Sequence, residues 1–249
     1  MEVHSFFILK NTGACIYHRN FSQLIDYEIN FLTPFFSAIF SFADKVISSK
    51  IEVLEMSNLR FTFKIVGDYI FTLLSDQKVS LLFLETRLEK ISKVFKDMFL
   101  DLKDLKDYQE LDNPEFDNQV ISILSGQEEI IKKKEHYTEI IKLFKDYMFQ
   151  NDIIGAAALS TNGNIIYTSL PDEILVRSLK ELEIRFMTGI MELPESYYSL
   201  ENGQKVFSKM VEIPEKLSSF LIVLLFEKSV PLGMAELTLN SVARKIRSI

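Results

Sequence analysis

The stretch "LKNTGACIY" (residues 9–17) returns in outline as "LSTNGNIIY" (residues 159–167), 150 positions further along the chain. Each reads Leu, three residues, Gly, two residues, Ile-Tyr. A strand, a tight turn with a glycine at positive φ, and a returning strand satisfy that pattern. A chain of 249 residues that spells the same hairpin twice reads as two units of one architecture.

The surrounding periodicities support this. Residues 3–9 are apolar and rich in Phe and Ile, as strands are, and residues 14–19 form the returning strand. Thr33 is placed to cap a helix, with Pro34 at its first position, running to about residue 47. Strand-like runs follow at 51–56, 59–66 and 69–74, separated by the short polar turns Ser57-Asn58 and Gly67-Asp68. Leu81, Leu84, Leu88, Ile91, Phe95 and Phe99 recur at helical spacing, and a charged stretch over 101–115 with Pro114 ends that helix. A further short helix is expected over 116–124.

In the second half, Ile130, Ile131, Tyr137, Ile140, Ile141, Phe144 and Met148 mark a helix. Strands are predicted at 153–160 and 165–169, and a helix from Pro171 to about Met187 with Leu175, Leu179, Leu182 and Phe186 as its core stripe. Three more strands, at 196–200, 206–213 and 219–226, precede a last helix over about 231–246. The expected fold class is α+β, an α/β sandwich of two five-stranded antiparallel sheets. Each sheet has helices on both faces, and the two units are permuted versions of one another. The expected division is a first domain over 1–112, a helical linker over 113–136 and a second domain over 137–249.

Composition excludes several function classes. Hydrophobic residues make up 47% and charged residues 25%, which suits a well-packed globular chain. The net charge of −7 is split between −3 over residues 1–112 and −4 over the rest. Neither half offers the concentrated basic surface that nucleic acid requires. The single cysteine, Cys15, allows no intrachain disulfide. The opening "MEVHSFFILKN" does not read as a signal peptide, and the longest apolar run, "FLIVLLF", is far short of the ~20 residues of a spanning helix. The expectation is a cytoplasmic protein without direct membrane insertion, reaching membranes only through partners.

No reagent is legible either. The sequence contains neither G-x-x-x-x-G-K-[ST] nor G-x-G-x-x-G, so it shows no phosphate cradle. His4, His18 and His136 are scattered, which argues against a metal centre and for surface or edge histidines; a turn at Thr12-Gly13 sets His4 opposite Phe21. Cys15 reads as a buried, inert thiol. None of the 35 acidic residues is singled out as a catalytic pair, and Lys132-Lys133-Lys134 after Glu128-Glu129 reads as a solvated helical turn. The expectation is no cofactor, no metal, no catalytic residues and no enzyme.

Two helices draw attention instead. Between Phe35 and Ile47, nine residues are apolar: Phe35, Phe36, Ala38, Ile39, Phe40, Phe42, Ala43, Val46 and Ile47. The polar residues Thr33, Ser37, Ser41 and Asp44 form one narrow stripe. A helix lying on one sheet needs an apolar arc of little more than ~100°. This arc is wider, so a second surface is expected to cover part of it, either elsewhere in the chain or on a partner. Candidate partner-binding residues here are Phe35, Phe36, Ile39, Phe40, Phe42 and Ala43. On the later helix, Val176, Ile184 and Met187 lie outside the core stripe among Arg177, Lys180, Glu183 and Arg185. Val176, Arg177, Lys180, Ile184 and Met187 are the second candidate set, with ordinary stray surface apolar residues as the alternative.

The first unit resembles a longin domain, on "FFILKNTGACIYHRNF", "FLTPFFSAIFSFADKV" and "DYIFTLLSD". The second resembles a roadblock domain, on "YTEIIKLFKDYMFQNDIIGAAALSTNGNIIYTSL", the helix after it, and the closing "VARKIRSI". The pairing is similar to the longin and roadblock proteins of archaea related to eukaryotes. The resemblance implies domains that lack catalytic groups, form homo- or hetero-oligomers with other longin or roadblock domains, and bind small Ras-like GTPases as scaffolds, activators or exchange factors. It also implies a place in trafficking adaptors. Two other readings stay open from the sequence: a PAS-like ligand-sensing module with an enclosed pocket, and an adaptor or SNARE-like longin.

Overall fold

The computed structural model describes residues 2–23, 29–48, 50–99, 110–126, 134–150, 153–190, 195–212 and 219–249. The chain divides into two compact units, Met1–Ser125 and Gly126–Ile249. The first contains β1 (Val3–Lys10), β2 (Cys15–Asn20), α1 (Ile29–Phe42, continued by one π-helical turn, Ala43–Ile47), β3 (Val53–Met56), β4 (Leu59–Val66), β5 (Tyr69–Asp76), α2 (Leu81–Phe99) and α3 (Pro114–Ser125). The second contains α4 (Lys134–Gln150), β6 (Ile153–Ser160), β7 (Ile165–Thr168), α5 (Asp172–Met187), β8 (Ser196–Ser199), β9 (Lys205–Val211), β10 (Phe220–Phe226) and α6 (Leu232–Arg247).

Both sheets have five strands, and their orders correspond: β2-β1-β5-β4-β3 and β7-β6-β10-β9-β8. Every pairing is antiparallel. The expected fold class is therefore the observed one. The hairpin repeat extends to its irregularities. In β1–β2, Ile8 faces Tyr17 and Leu9 faces Cys15, which leaves Ile16 as the extra residue. In β6–β7, Ala158 faces Tyr167 and Leu159 faces Ile165, leaving Ile166. Both bulges fall at positions 150 apart. A second matched pair lies at the other end, where β1 bulges at His4 against β5 and β6 bulges at Ile154 against β10. Gly13 (φ +90°) and Gly163 (φ +77°) close the two turns, each amide donating at 2.8 Å to the carbonyl three residues back. Side chains rarely adopt that backbone conformation, and glycine does so freely.

Among the described residues, each sheet carries two helices on one face and one on the other. In unit 1, α2 and α3 cover Phe6, Ile8, Phe71 and Leu73 with Leu88, Ile91, Phe95 and Phe116, while Phe7, Phe61, Phe63 and Leu74 turn towards α1. In unit 2, α4 and α6 cover Phe207, Phe220, Ile222 and Leu224 with Phe144, Leu239 and Val242. Helix α5 lies on the opposite face, where the Ser208 hydroxyl donates to its Glu181.

The permutation is visible in α3 and α4. Phe116 of α3 meets Tyr17 edge-on at 5.1 Å, and Phe144 of α4 stacks on Tyr167 at 5.8 Å. One helix follows its sheet and the other precedes it, yet they fill the same place. Residues 114–125, assigned by the sequence to a linker, accordingly belong to the core of unit 1. Asn113 caps α3 through the Phe116 amide (3.0 Å), with Pro114 at the first helical position. The Asp117 carboxylate then accepts from Tyr17 Oη (2.6 Å) and from the Arg19 guanidinium, and the Leu111 amide donates to Ile16 O (2.7 Å).

Three local expectations change. Helix α1 starts at Ile29, so Thr33 is not its cap and Pro34 lies inside, unable to donate to the carbonyl four residues back. Phe186 is exposed, and Arg185 is buried where the stripe was expected to close. His4 is buried on a central strand, not at the surface, although it does lie opposite Phe21, whose amide donates to His4 O (2.8 Å). Expected features at 101–109, at Ile130, Ile131, Lys132 and Lys133, and at 213–218 lie outside the described residues.

Candidate functional site

Helix α1 shows three faces. Phe36 and Ala43 are buried against the sheet, with Leu32 and Phe40 half-buried beside them. Phe36 meets Phe61 and Phe63 edge-on at 5.0 and 5.3 Å, and Phe40 meets Phe63 at 5.0 Å. Such tilted and edge-on contacts are the favoured aromatic geometries. The polar stripe forms one flank, where Thr33 and Ser37 lie beside the β1–β2 turn: a Cβ added to Gly13 would stand 3.1 Å from Ser37 Cβ. The third face is open. Phe31 (73% exposed), Phe35 (40%), Phe42 (58%) and Val46 (65%) line it with exposed Ala38, at spacings of four, three, four and four. Ile39 sits half-buried at its border.

Six residues of this helix were proposed from the sequence. Phe35 and Phe42 are on the open face, Ile39 and Phe40 are intermediate, and Phe36 and Ala43 are core residues of their own unit. The sequence omitted Phe31, because a start at Thr33–Pro34 left it outside the helix. It also left Ala38 and Val46 out of the candidate set. A four-three-four spacing read back past Pro34 is the signal that would have found Phe31.

Helix α5 presents a mixed face. Arg177, Lys180, Ile184 and Met187 are exposed and Val176 is half-buried; Ile190 and Phe186 add apolar surface at the C-terminal end. Arg177 stacks its guanidinium 3.7 Å over the Tyr198 ring. Burial raises the Tyr198 phenol above its ordinary value, the Glu181 charge adding to this and Arg177 opposing it. Beneath the helix lies a polar network the sequence did not show. Arg185 donates through Nε (2.9 Å) and an Nη (2.7 Å) to Glu181, and through the same Nη to Ser196 Oγ (2.6 Å). Ser208 Oγ donates to the same carboxylate at 2.7 Å. A buried charge is tolerable only with such pairing.

The groups with chemical potential lie apart. Burial pushes the Cys15 thiol up to about 11, and its Sγ donates to Tyr17 O at 3.3 Å. It is thus held as the unreactive thiol. His4 Nε2 lies 3.0 Å from Asp76 Oδ1, and the Glu2 amide donates to Asp76 Oδ2 at 2.9 Å. Burial alone would raise the Asp76 carboxyl, but these two hydrogen bonds outweigh it and hold the group below the ordinary range. His18 stacks on Phe7 at 4.9 Å and bonds Asn20 at 2.9 Å; burial lowers its pKa. Among the described residues no group of three or more His, Cys, Asp or Glu side chains is placed to hold a metal ion. Also among them, no helix is long and apolar enough to cross a membrane.

No family model matches the chain, and no curated protein does. Among solved structures, a chain in a homology model of the full-length AP-3 complex in a stretched open conformation is similar over 78% of this chain and 100% of that one, at 10% identity and a TM-score of 0.31.

Proposed function

We propose that this chain is a non-catalytic interaction protein of the longin and roadblock type that binds and regulates a small Ras-like GTPase. The open face of α1 is its primary contact surface, and the Arg177–Met187 face of α5 is the second. One observation carries the proposal: α1 is apolar on the side it buries and apolar again on the side it leaves open. Taking ~150–250 Å² for each phenylalanine, the exposed fractions of Phe31, Phe35 and Phe42 amount to roughly 250–450 Å². A patch of that size on a monomer is commonly a site of association. The sequence resemblance to longin and roadblock domains supplies the class of partner. In the adaptor version of the same reading, the surface meets a companion subunit in place of the GTPase.

The test uses the full chain with purified Ras-like GTPases. Nucleotide release and hydrolysis are followed with and without the chain, and complex formation by size exclusion with light scattering. The expected result is a complex, with altered exchange or hydrolysis, that is lost in a Phe31→Glu, Phe42→Glu variant of unchanged circular dichroism. A complex indifferent to both substitutions would remove α1 from the contact. Absence of any complex or kinetic effect would remove the GTPase.

A further inference from the structure

Two asparagines of this chain precede a glycine, Asn162 and Asn202. Both stand in hairpin turns, the first between β6 and β7, the second between β8 and β9. An asparagine carries an electrophile, its side-chain amide carbon Cγ, one residue from a nucleophile, the backbone nitrogen that follows. A glycine at the next position puts no side chain in the way, so the two atoms can close on each other. The outcome is then decided by how firmly the turn is held and by whether water reaches it.

The two turns differ on both counts. At the first, Gly163 and Asn164 are buried. Thr161 N donates to Ser219 O (3.0 Å), Asn162 N to Ser160 Oγ (3.1 Å) and Gly163 N to Ser160 O (2.8 Å). At the second, Glu201 and Asn202 are exposed and Gly203 is half-buried. Gly203 N donates to Leu200 O (2.9 Å) and Leu200 N to Gln204 O (2.8 Å). The other bonds there belong to the Asn202 side chain: Nδ2 donates to Gln204 Oε1 (2.8 Å), and Oδ1 accepts from Gln204 N (3.0 Å). Both are exposed, so water replaces them at little cost. Strand β8, which leads into this turn, has four residues and lies at the edge of its sheet. Such an element opens locally without disturbing the core.

We infer that Asn202 is a site of spontaneous deamidation and that the fold protects Asn162 from the same reaction. In the opened turn, Gly203 N gives its proton to hydroxide and attacks Cγ of Asn202. The new C–N bond forms, the Cγ–Nδ2 bond breaks, and ammonia leaves with a proton from water. The product is a five-membered cyclic imide. Water then cleaves one of its two carbonyl–nitrogen bonds. Cleavage at Cγ leaves aspartate; cleavage at the main-chain carbonyl leaves isoaspartate, with the backbone running through Cβ and Cγ. Either product adds a negative charge next to Glu201, and isoaspartate adds one carbon to the path between β8 and β9. Strand β8 carries Tyr198, the ring on which Arg177 is stacked.

The experiment keeps the full chain in neutral buffer over weeks and identifies the proteolytic peptides of both turns by mass and retention. A parallel sample in guanidinium chloride has lost both turns, and there the two asparagines convert at similar rates. In the folded chain Asn202 converts about tenfold faster than Asn162 or more, because the first turn must break two further hydrogen bonds, each a factor of about 2–10. Aspartate and isoaspartate appear together at Asn202, and hydroxylamine added during the incubation cleaves the chain there. Asn202→Gln, whose ring needs one more atom, shows no such cleavage at that turn while its circular dichroism is unchanged. A folded chain that keeps Asn202 intact, or converts Asn162 as fast, overturns the inference. So does aspartate without isoaspartate, the mark of direct hydrolysis.

Discussion

Helices α1 and α5 follow the same hairpin, cover the same face of the same strand order, and are built on opposite plans. Under α1 the sheet presents Phe7, Phe61 and Phe63, and the helix answers with Phe36 and Ala43. Under α5 the sheet is aliphatic with small and polar residues set among the branched ones, Leu221, Val223 and Leu225 beside Gly155, Ala157 and Ser208, and the helix answers with Leu175, Leu179, Leu182 and the Glu181–Arg185 pair. A Cβ added to Gly155 would stand 3.1 Å from Leu170 Cδ2 and 3.3 Å from Ser169 O, so a larger residue there requires these neighbours to shift by a few tenths of an ångström. The outer faces diverge further, apolar on α1 and largely charged on α5. A sheet constrains only the arc of a helix that lies on it. The remainder is free to be used for solubility or for association, and the duplicated architecture displays one choice of each kind.

The contrast can be broken most forcefully on α1. Phe36→Ala should destabilise unit 1 by ~3–5 kcal/mol, as loss of a buried ring does. Phe42→Ala, six positions on but solvent-facing, should change stability by less than about 1 kcal/mol. Denaturant titration of the full chain separates the two, and equal effects would mean that the open face is not open. On α5 the corresponding blow is electrostatic. Arg185→Met should cost about 2 kcal/mol by leaving the half-buried Glu181 carboxylate without its cation. Arg177→Met should cost about 1 kcal/mol or less, because its cation–π contact is at the surface. If Arg185→Met were neutral, the polar underside of α5 would contribute no specificity of position.

Gly13→Ala ties the hairpin to α1. It forces a side chain into positive φ, worth ~1–2 kcal/mol, and towards Ser37 Cβ, so the unit 1 transition should fall by about that amount or more in thermal unfolding.

The matched bulges predict a smaller, pH-dependent difference. At His4 the carboxyl of Asp76 is held below its ordinary value, whereas Ile154 brings no charge to the equivalent place. A depressed carboxyl contributes stability that is fully present above its unfolded value, ~3.9. That contribution is lost as pH falls through the lower folded value. Unit 1 of the wild type should therefore lose stability relative to an Asp76→Asn variant below about pH 4, with unit 2 unaffected. The smallest effect concerns Cys15, which stands where β7 has Ile165. Its thiolate absorbance should rise with a midpoint near pH 11, so alkylation at neutral pH is slow; a midpoint near ~8.5 would mean a solvated thiol.

Much of this molecule was legible as pattern. The strands, their turns, the amphipathic helices and the repeated hairpin all lie within short windows, where side-chain period and turn chemistry act locally. The excess of apolar surface on α1 was legible for the same reason. Its allocation was not. Residues 35, 36, 40 and 42 are all phenylalanine, and contact with Phe61 and Phe63 separates Phe36 and Phe40 from the open pair, Phe35 and Phe42. The start of α1 was misplaced because Pro34 carries a strong local preference that the packing of the helix overrode.

By itself, then, the sequence determined that this protein has two alike antiparallel units and more apolar helix than one sheet can cover. The tertiary structure decided which residues those are, that α3 joins unit 1 through Tyr17 and Asp117, and that Arg185 and His4 are buried beside their carboxylates. The reason is physical. Periodicity is fixed by neighbours along the chain, whereas burial and ion pairing are fixed by partners as much as 100 residues away, as Tyr17 and Asp117 are.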